Sequence, residues 1–204
     1  MVAKASKAIK VCLTNSGDDV ETPWAHDLGP APGPKGSRKV RLVNVPFMHA
    51  KPTWGDVVVV TPVKDGFPTW DRSGVTWSDI ASRIHEDGGR WAMIVDYESD
   101  ADAEECFDAI AHACAELDAV CEGAWAPNAT RAGRVYLAVK TGTTDKAVMN
   151  HLGRAELPCM LAQIHPTPTA AAPAAKPTAR GSARKPAKRA APTKPTKKRA
   201  TARR

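Results

Sequence analysis

Twelve basic side chains crowd residues 166–204 of this 204-residue chain, with no acidic residue among them. They are Lys176, Arg180, Arg184, Lys185, Lys188, Arg189, Lys194, Lys197, Lys198, Arg199, Arg203 and Arg204. Residues 1–165 carry 17 basic against 22 acidic residues, so the overall +7 divides into a body of −5 and a segment of +12. Such a run attracts a phosphate backbone by displacing condensed counterions, a force blind to base sequence. Alanine and proline spacers keep the charges apart, and the six arginines among the twelve can also enter a narrow minor groove. No aromatic residue follows Ile164 to stack on bases, so no preference for single strands is expected. The competing expectation is a segment that only solubilises, that meets anionic lipid or acidic protein, or that folds back on the acidic body.

Within the body, Glu21, His26 and Asp27 are close enough in sequence to suggest acid–base chemistry. On a strand, though, Glu21 and Asp27 share a face while His26 points the other way, which favours separate structural roles. Asp56, after Gly55 and ahead of four valines, is expected to tie down a turn, with a ligand contact as the alternative. His26, His49, His85, His112, His151 and His165 show no metal-ligand spacing, and no phosphate-binding or nucleophile-elbow motif occurs. No metal, no cofactor and no enzymatic activity are therefore expected. Cys12, Cys106, Cys114, Cys121 and Cys159 lack C-x-x-C spacing and read as reduced, buried thiols. Trp24, Trp54, Trp70, Trp77, Trp91 and Trp125 read as core and seam residues, with an apolar ligand groove as the alternative.

These side chains must be positioned by two differently patterned halves. Residues 1–87 read as short strands between turns: 8–14, 20–28, 39–45, 56–61 and 67–71, forming a small barrel-like or curled sheet. Residues 88–165 change rhythm. A strand at 91–97 precedes a helix capped by Ser99 or Asp100, with Ala103, Cys106, Phe107, Ile110, Cys114 and Leu117 on one side. Strands at 120–126 and 134–140 follow, then a helix capped by Thr143 or Thr144 that carries Val148, Met149 and Leu152 and stops at Gly153. A last strand spans 158–164. The order β-α-β-β-α-β is that of a ferredoxin-like unit, so the expected class is α+β. The stretch 134–139 offers Tyr136 as its one aromatic, too few for the stacking platform with which such sheets bind RNA. Residues 166–204, with seven prolines and nothing large to bury, are expected to be a disordered tail.

Three motifs carry a resemblance: Glu21-Thr22-Pro23-Trp24-Ala25, Asn44-Val45-Pro46-Phe47 and Trp54-Gly55-Asp56-Val57-Val58. Together they resemble the bacterial family called domain of unknown function 4265, over about residues 8–165. Pro23 stands where a large aliphatic residue is usual, and the loop 29–37 is long. The resemblance implies a barrel-like part followed by a β-α-β part, and it implies no activity.

The sequence thus points to a non-enzymatic binding protein of the cytoplasm, associated with the nucleoid through its tail. The alternative is a small acidic recognition module whose body sequesters a protein partner, with the tail only solubilising. No run is long and apolar enough to span a bilayer, so no membrane span is expected.

Overall fold

The computed structural model describes residues 7–14, 20–48, 50–71, 80, 82–99 and 102–166. All of them belong to one compact unit. It is a mixed α+β structure whose strands form three mostly antiparallel sheets.

The first half supplies two sheets. Strands β1 (Ala8–Lys10), β4 (Trp24–Pro30), β5 (Arg38–Leu42) and β6 (Val57–Val60) pair in the order β1-β4-β5-β6. Strands β3 (Val20–Glu21), β2 (Cys12–Thr14) and β7 (Thr69–Asp71) form the order β3-β2-β7, in which β2 and β7 run parallel. The continuous strands expected at 8–14 and 20–28 are each broken in two. Pro23 has no N–H to give a ladder, but its carbonyl still accepts from the Val11 amide at 3.1 Å, so the chains kink together and pass between the sheets.

The expected barrel does not close. Thr61 and Thr69 exchange backbone hydrogen bonds of 2.9 and 2.8 Å, but this remains an isolated bridge. Pro62 and Pro68 flank it and cannot extend the pairing. The alternation read from sequence still decides which residues go inside. Val11, Leu13, Ala25, Val40, Leu42, Val58, Val60 and Trp70 make one buried cluster.

The second half forms one four-stranded antiparallel sheet from β8 (Arg90–Glu98), β9 (Val120–Trp125), β10 (Gly133–Lys140) and β11 (Met160–Pro166), in the order β11-β8-β10-β9. Helix α1 (Ala103–Glu116) lies between β8 and β9, and α2 (Asp145–Leu152) between β10 and β11. The N-cap of α1 is Asp102, which accepts from the amides of Glu104 at 2.8 Å and Glu105 at 3.4 Å, rather than Ser99 or Asp100. Thr144 caps α2 and Gly153 ends it, as expected. Met149 does not join Val148 and Leu152 in the core: it is 52% exposed.

Both faces of this sheet are buried. On one, Met93, Val95, Val135, Leu137 and Val139 pack with Cys106, Ile110, Cys114, Val148 and Leu152 of the helices. On the other, Ala92, Ile94, Tyr136 and Ala138 pack with Val45 and Trp54 from the first half. The segment 43–56 therefore covers the helix-free face, and the two halves share a core.

Between β4 and β5, Arg38 lies 2.6 Å from Asp27, and its hydrogen bond holds the Asp27 carboxyl below the usual carboxylate range despite the opposing effect of burial. A depressed folded value means that the pair stabilises the fold above the ordinary carboxylate pKa and ceases to do so as pH falls through the lower, folded value. Arg38→Ala is expected to raise the Asp27 titration midpoint towards its ordinary value in a carboxyl NMR titration. An unchanged midpoint would show that Arg38 is not the cause.

Candidate functional site

All twelve basic residues of the expected nucleic-acid interface, Lys176 to Arg204, lie outside the described residues, as do His49 and Trp77. Two polar clusters among the described residues lie where the two halves meet.

Asp56 sits at the start of β6 with 0% exposure. Its Oδ2 accepts from the Thr53 amide at 2.8 Å, closing a tight turn. Its Oδ1 accepts from the Gly88 amide at 2.6 Å and from Lys51 Nζ at 3.0 Å. Lys51 also donates to Asp87 at 2.6 Å, and Asp87 accepts from the Gly89 amide at 2.7 Å. Burial pushes the Asp56 carboxyl up, against the opposing pull of the Lys51 charge and the two amides. For the more open Asp87, Lys51 and the Gly89 amide outweigh burial and hold the carboxyl down. A Cβ at Gly88 would stand 2.6 Å from the Gly55 carbonyl carbon, so only glycine permits this approach of 85–89 to the turn. The cluster is a clamp, and the turn-fixing role expected of Asp56 is the one its bonds describe.

A second set of contacts seats the segment 43–56 on the sheet. Glu21, 8% exposed, accepts from the amides of Phe47 at 2.8 Å and Met48 at 3.3 Å. Asn44 accepts from the Trp24 amide at 2.8 Å and donates to Glu122 of β9 at 3.2 Å. Phe47 stacks on Tyr136 of β10 with centroids 4.8 Å apart. Beside this stack, Arg134 forks onto Asp96 at 2.5 and 2.7 Å, and His165 Nε2 lies 3.7 Å from the same carboxylate. Tyr136, the one aromatic that could have served as an RNA platform, is thus 9% exposed beneath a protein ring. Glu21, His26 and Asp27 do not converge: Glu21 holds a loop, Asp27 an arginine, and His26 faces outward exposed.

Cys106 and Cys114 are buried, as expected, and Cys12, Cys121 and Cys159 are half-buried; all five are free thiols. Burial pushes Cys159 up to about 11, and contact with Cys114 together with burial also raises Cys121. No group of three or more potential ligands that could hold a metal ion occurs among the described residues. Of the tryptophans, Trp70 is core, Trp54 packs at the seam under Arg90, and Trp24 is 46% exposed. Trp91 donates to the Thr143 carbonyl at 3.1 Å.

The alternative of a ligand groove has a counterpart elsewhere. Tyr97, Phe107 and Trp125 line an open-sided cavity of about 290 Å³ between α1 and β9, with Glu104 at its rim. Only Gly123, unusual in a strand, hinted at it in sequence. The Lys51–Asp56–Asp87 clamp left no such trace, because Asp87 meets Asp56 only through tertiary packing. No protein-family model, no curated protein and no solved structure matches the chain. No helix among the described residues is long and apolar enough to cross a membrane.

Two outcomes follow. Asp56→Ala, by leaving the Thr53 and Gly88 amides without their acceptor and the half-buried Lys51 ammonium with Asp87 alone, is expected to cost about 3 kcal/mol in denaturant unfolding; a loss within the error of the measurement would remove the clamp from the account. Alkylation of Cys159, followed by peptide mass spectrometry, is expected to accelerate with pH up to a midpoint near 11, the value to which burial pushes its thiol. A midpoint in the ordinary thiol range would contradict that burial.

Proposed function

We propose that this chain is a non-enzymatic binding protein whose C-terminal basic segment associates with nucleic acid, DNA foremost, without sequence preference. The single observation that carries the reading is the partition of charge: +12 over residues 166–204 against −5 over residues 1–165. A force of this kind needs no folded interface, only closely spaced cations with no carboxylate among them. The body's role in this reading is to be carried to the polyanion, and its place is the cytoplasm, at the nucleoid.

Within the same proposal, the second half is a ferredoxin-like unit. The support for it is the order β8-α1-β9-β10-α2-β11, the central pair β8 and β10, and the packing of both helices on one face. Membership of the family called domain of unknown function 4265 has the support that all three of its motifs act at one seam: Glu21 and Asn44 hold the segment that Asp56 closes. A second reading, capture of a basic protein by the body, draws on the exposed acidic start of α1, where Asp102, Glu104, Glu105 and Asp108 carry no basic neighbour in sequence.

The test compares the full chain with a full-length variant in which the twelve basic residues are glutamine, on duplex DNA across a salt series. With half of the twelve charges paired, log K for the parent is expected to fall with log salt at a slope of about −5, and the variant to lose both affinity and slope. Equal binding by the two chains, or binding indifferent to salt, would overturn the proposal.

A further inference from the structure

We propose that the outward face of the sheet β1-β4-β5-β6 is a second nucleic-acid surface, one that takes a single strand by stacking its bases and pairing its phosphates. The other face of this sheet lies in the core, with Ala25, Val40, Leu42, Val58 and Val60 buried. An antiparallel sheet with one face buried turns every second residue towards water. On β4 those residues include Trp24, 46% exposed, and His26, also exposed. The strand register places Lys10 of β1 opposite Trp24 and Arg41 of β5 opposite His26. Each ring thus has a cation across the ladder from it, and the Lys10 ammonium lies 5.4 Å from the centre of the Trp24 ring. Lys39 stands on the same face as Arg41, two positions along β5. This surface rests on the nucleic-acid reading above for its class of partner, and on the sheet's own residues for the rest.

Charge selects the occupant. The body carries −5 overall, yet these four strands hold Lys10, Arg38, Lys39 and Arg41 against one carboxylate, Asp27. Arg38 is taken up by Asp27 at 2.6 Å, which leaves Lys10, Lys39 and Arg41 to the outward face. Glu86 reaches Arg41 at 3.1 Å, with both side chains well exposed. An exposed pair of that kind is worth little, so a phosphate can take the place of Glu86. The basic segment 166–204 has the same sign as the face and is repelled from it. The acidic remainder of the body repels a polyanion in turn and confines it here. Outward neighbours on one strand stand about 7 Å apart, a step comparable to that between successive phosphates of an extended chain. The rings decide between strand and duplex. Paired, stacked bases offer a π face at the duplex ends alone, whereas an unpaired base can lie on Trp24 or His26 anywhere along a strand.

The test uses the full-length variant with the twelve basic residues as glutamine, which removes the pull of the basic segment. Its probes are a short fluorescein-labelled oligothymidylate, an oligouridylate and a duplex of equal length, read by anisotropy at low salt. Saturable binding to the single strands is expected, tighter than to the duplex, and the tighter of the two single strands names the sugar that the face serves. Trp24→Ala in this background is expected to weaken binding about five- to hundredfold, the worth of one base stacked on an aromatic ring, and Trp24→Phe to weaken it less. Trp24 is exposed, so neither change puts the fold at stake. Lys39→Gln and Arg41→Gln are each expected to lower the slope of log K against log salt by about 0.7. No saturable binding to either single strand, equal affinity for the duplex, or an affinity unmoved by Trp24→Ala would overturn the surface. Displacement by an oligoglutamate as readily as by unlabelled oligothymidylate would overturn the occupant in favour of an acidic peptide. If the parent chain holds duplex DNA while the glutamine variant ignores single strands, this surface alone fails. If the variant holds single strands while the parent ignores duplex DNA, the role of the basic segment alone fails.

Discussion

A carboxylate with no access to water must be given substitutes for it, and the junction of this protein is arranged to give them to Asp56. Two backbone amides and one ammonium converge on it, drawn from the turn before β6, from Lys51 and from the segment that leads into β8. Burying a charge is tolerable only when such partners are in place, and removing one leaves the others stranded. The turn at 53–56 and the glycine pair Gly88-Gly89 are therefore fixed relative to each other. Val45 and Trp54, on the segment that ends at this turn, pack against the second sheet.

That placement decides what the sheet can do. A four-stranded antiparallel sheet with helices on one side usually leaves its other side wet. Here that other side carries Ala92, Ile94, Tyr136 and Ala138, small or apolar residues that suit a protein cover. The polar groups around the cover, Glu21, Asn44, Glu122, Asp96 and Arg134, are engaged with one another or with loop amides. A cluster that looks chemically rich is thus a set of fastenings.

Much of the interior was legible because it depends on alternation alone. Ile9, Val11 and Leu13, or Val40 and Leu42, point inward whether or not the strands that bear them are continuous. Continuity depends on things local pattern does not hold: Pro23 withholding an amide, and Pro62 and Pro68 confining the Thr61–Thr69 pair to one bridge, which kept a barrel from forming. The cap of α1 shifted from Ser99 or Asp100 to Asp102 because several residues in that run can cap equally well, and packing of Cys106 and Ile110 selects among them. Met149 shows the converse limit, since its spacing allows the core but α2 is short and turns only Val148 and Leu152 inward. For the candidate sites, Asp56 was readable as a turn-former from its neighbours. Its partners Lys51 and Asp87 were not, because nothing local links Asp87 to a turn thirty-one positions before it.

The last described strand has a mechanical meaning. β11 lies at the edge of its sheet, antiparallel to β8, and carries the chain outward to Pro166 opposite Met93. Tension directed along the axis of β11 runs at right angles to its hydrogen bonds with β8. Those bonds then resist in shear, as a group, instead of being unzipped singly.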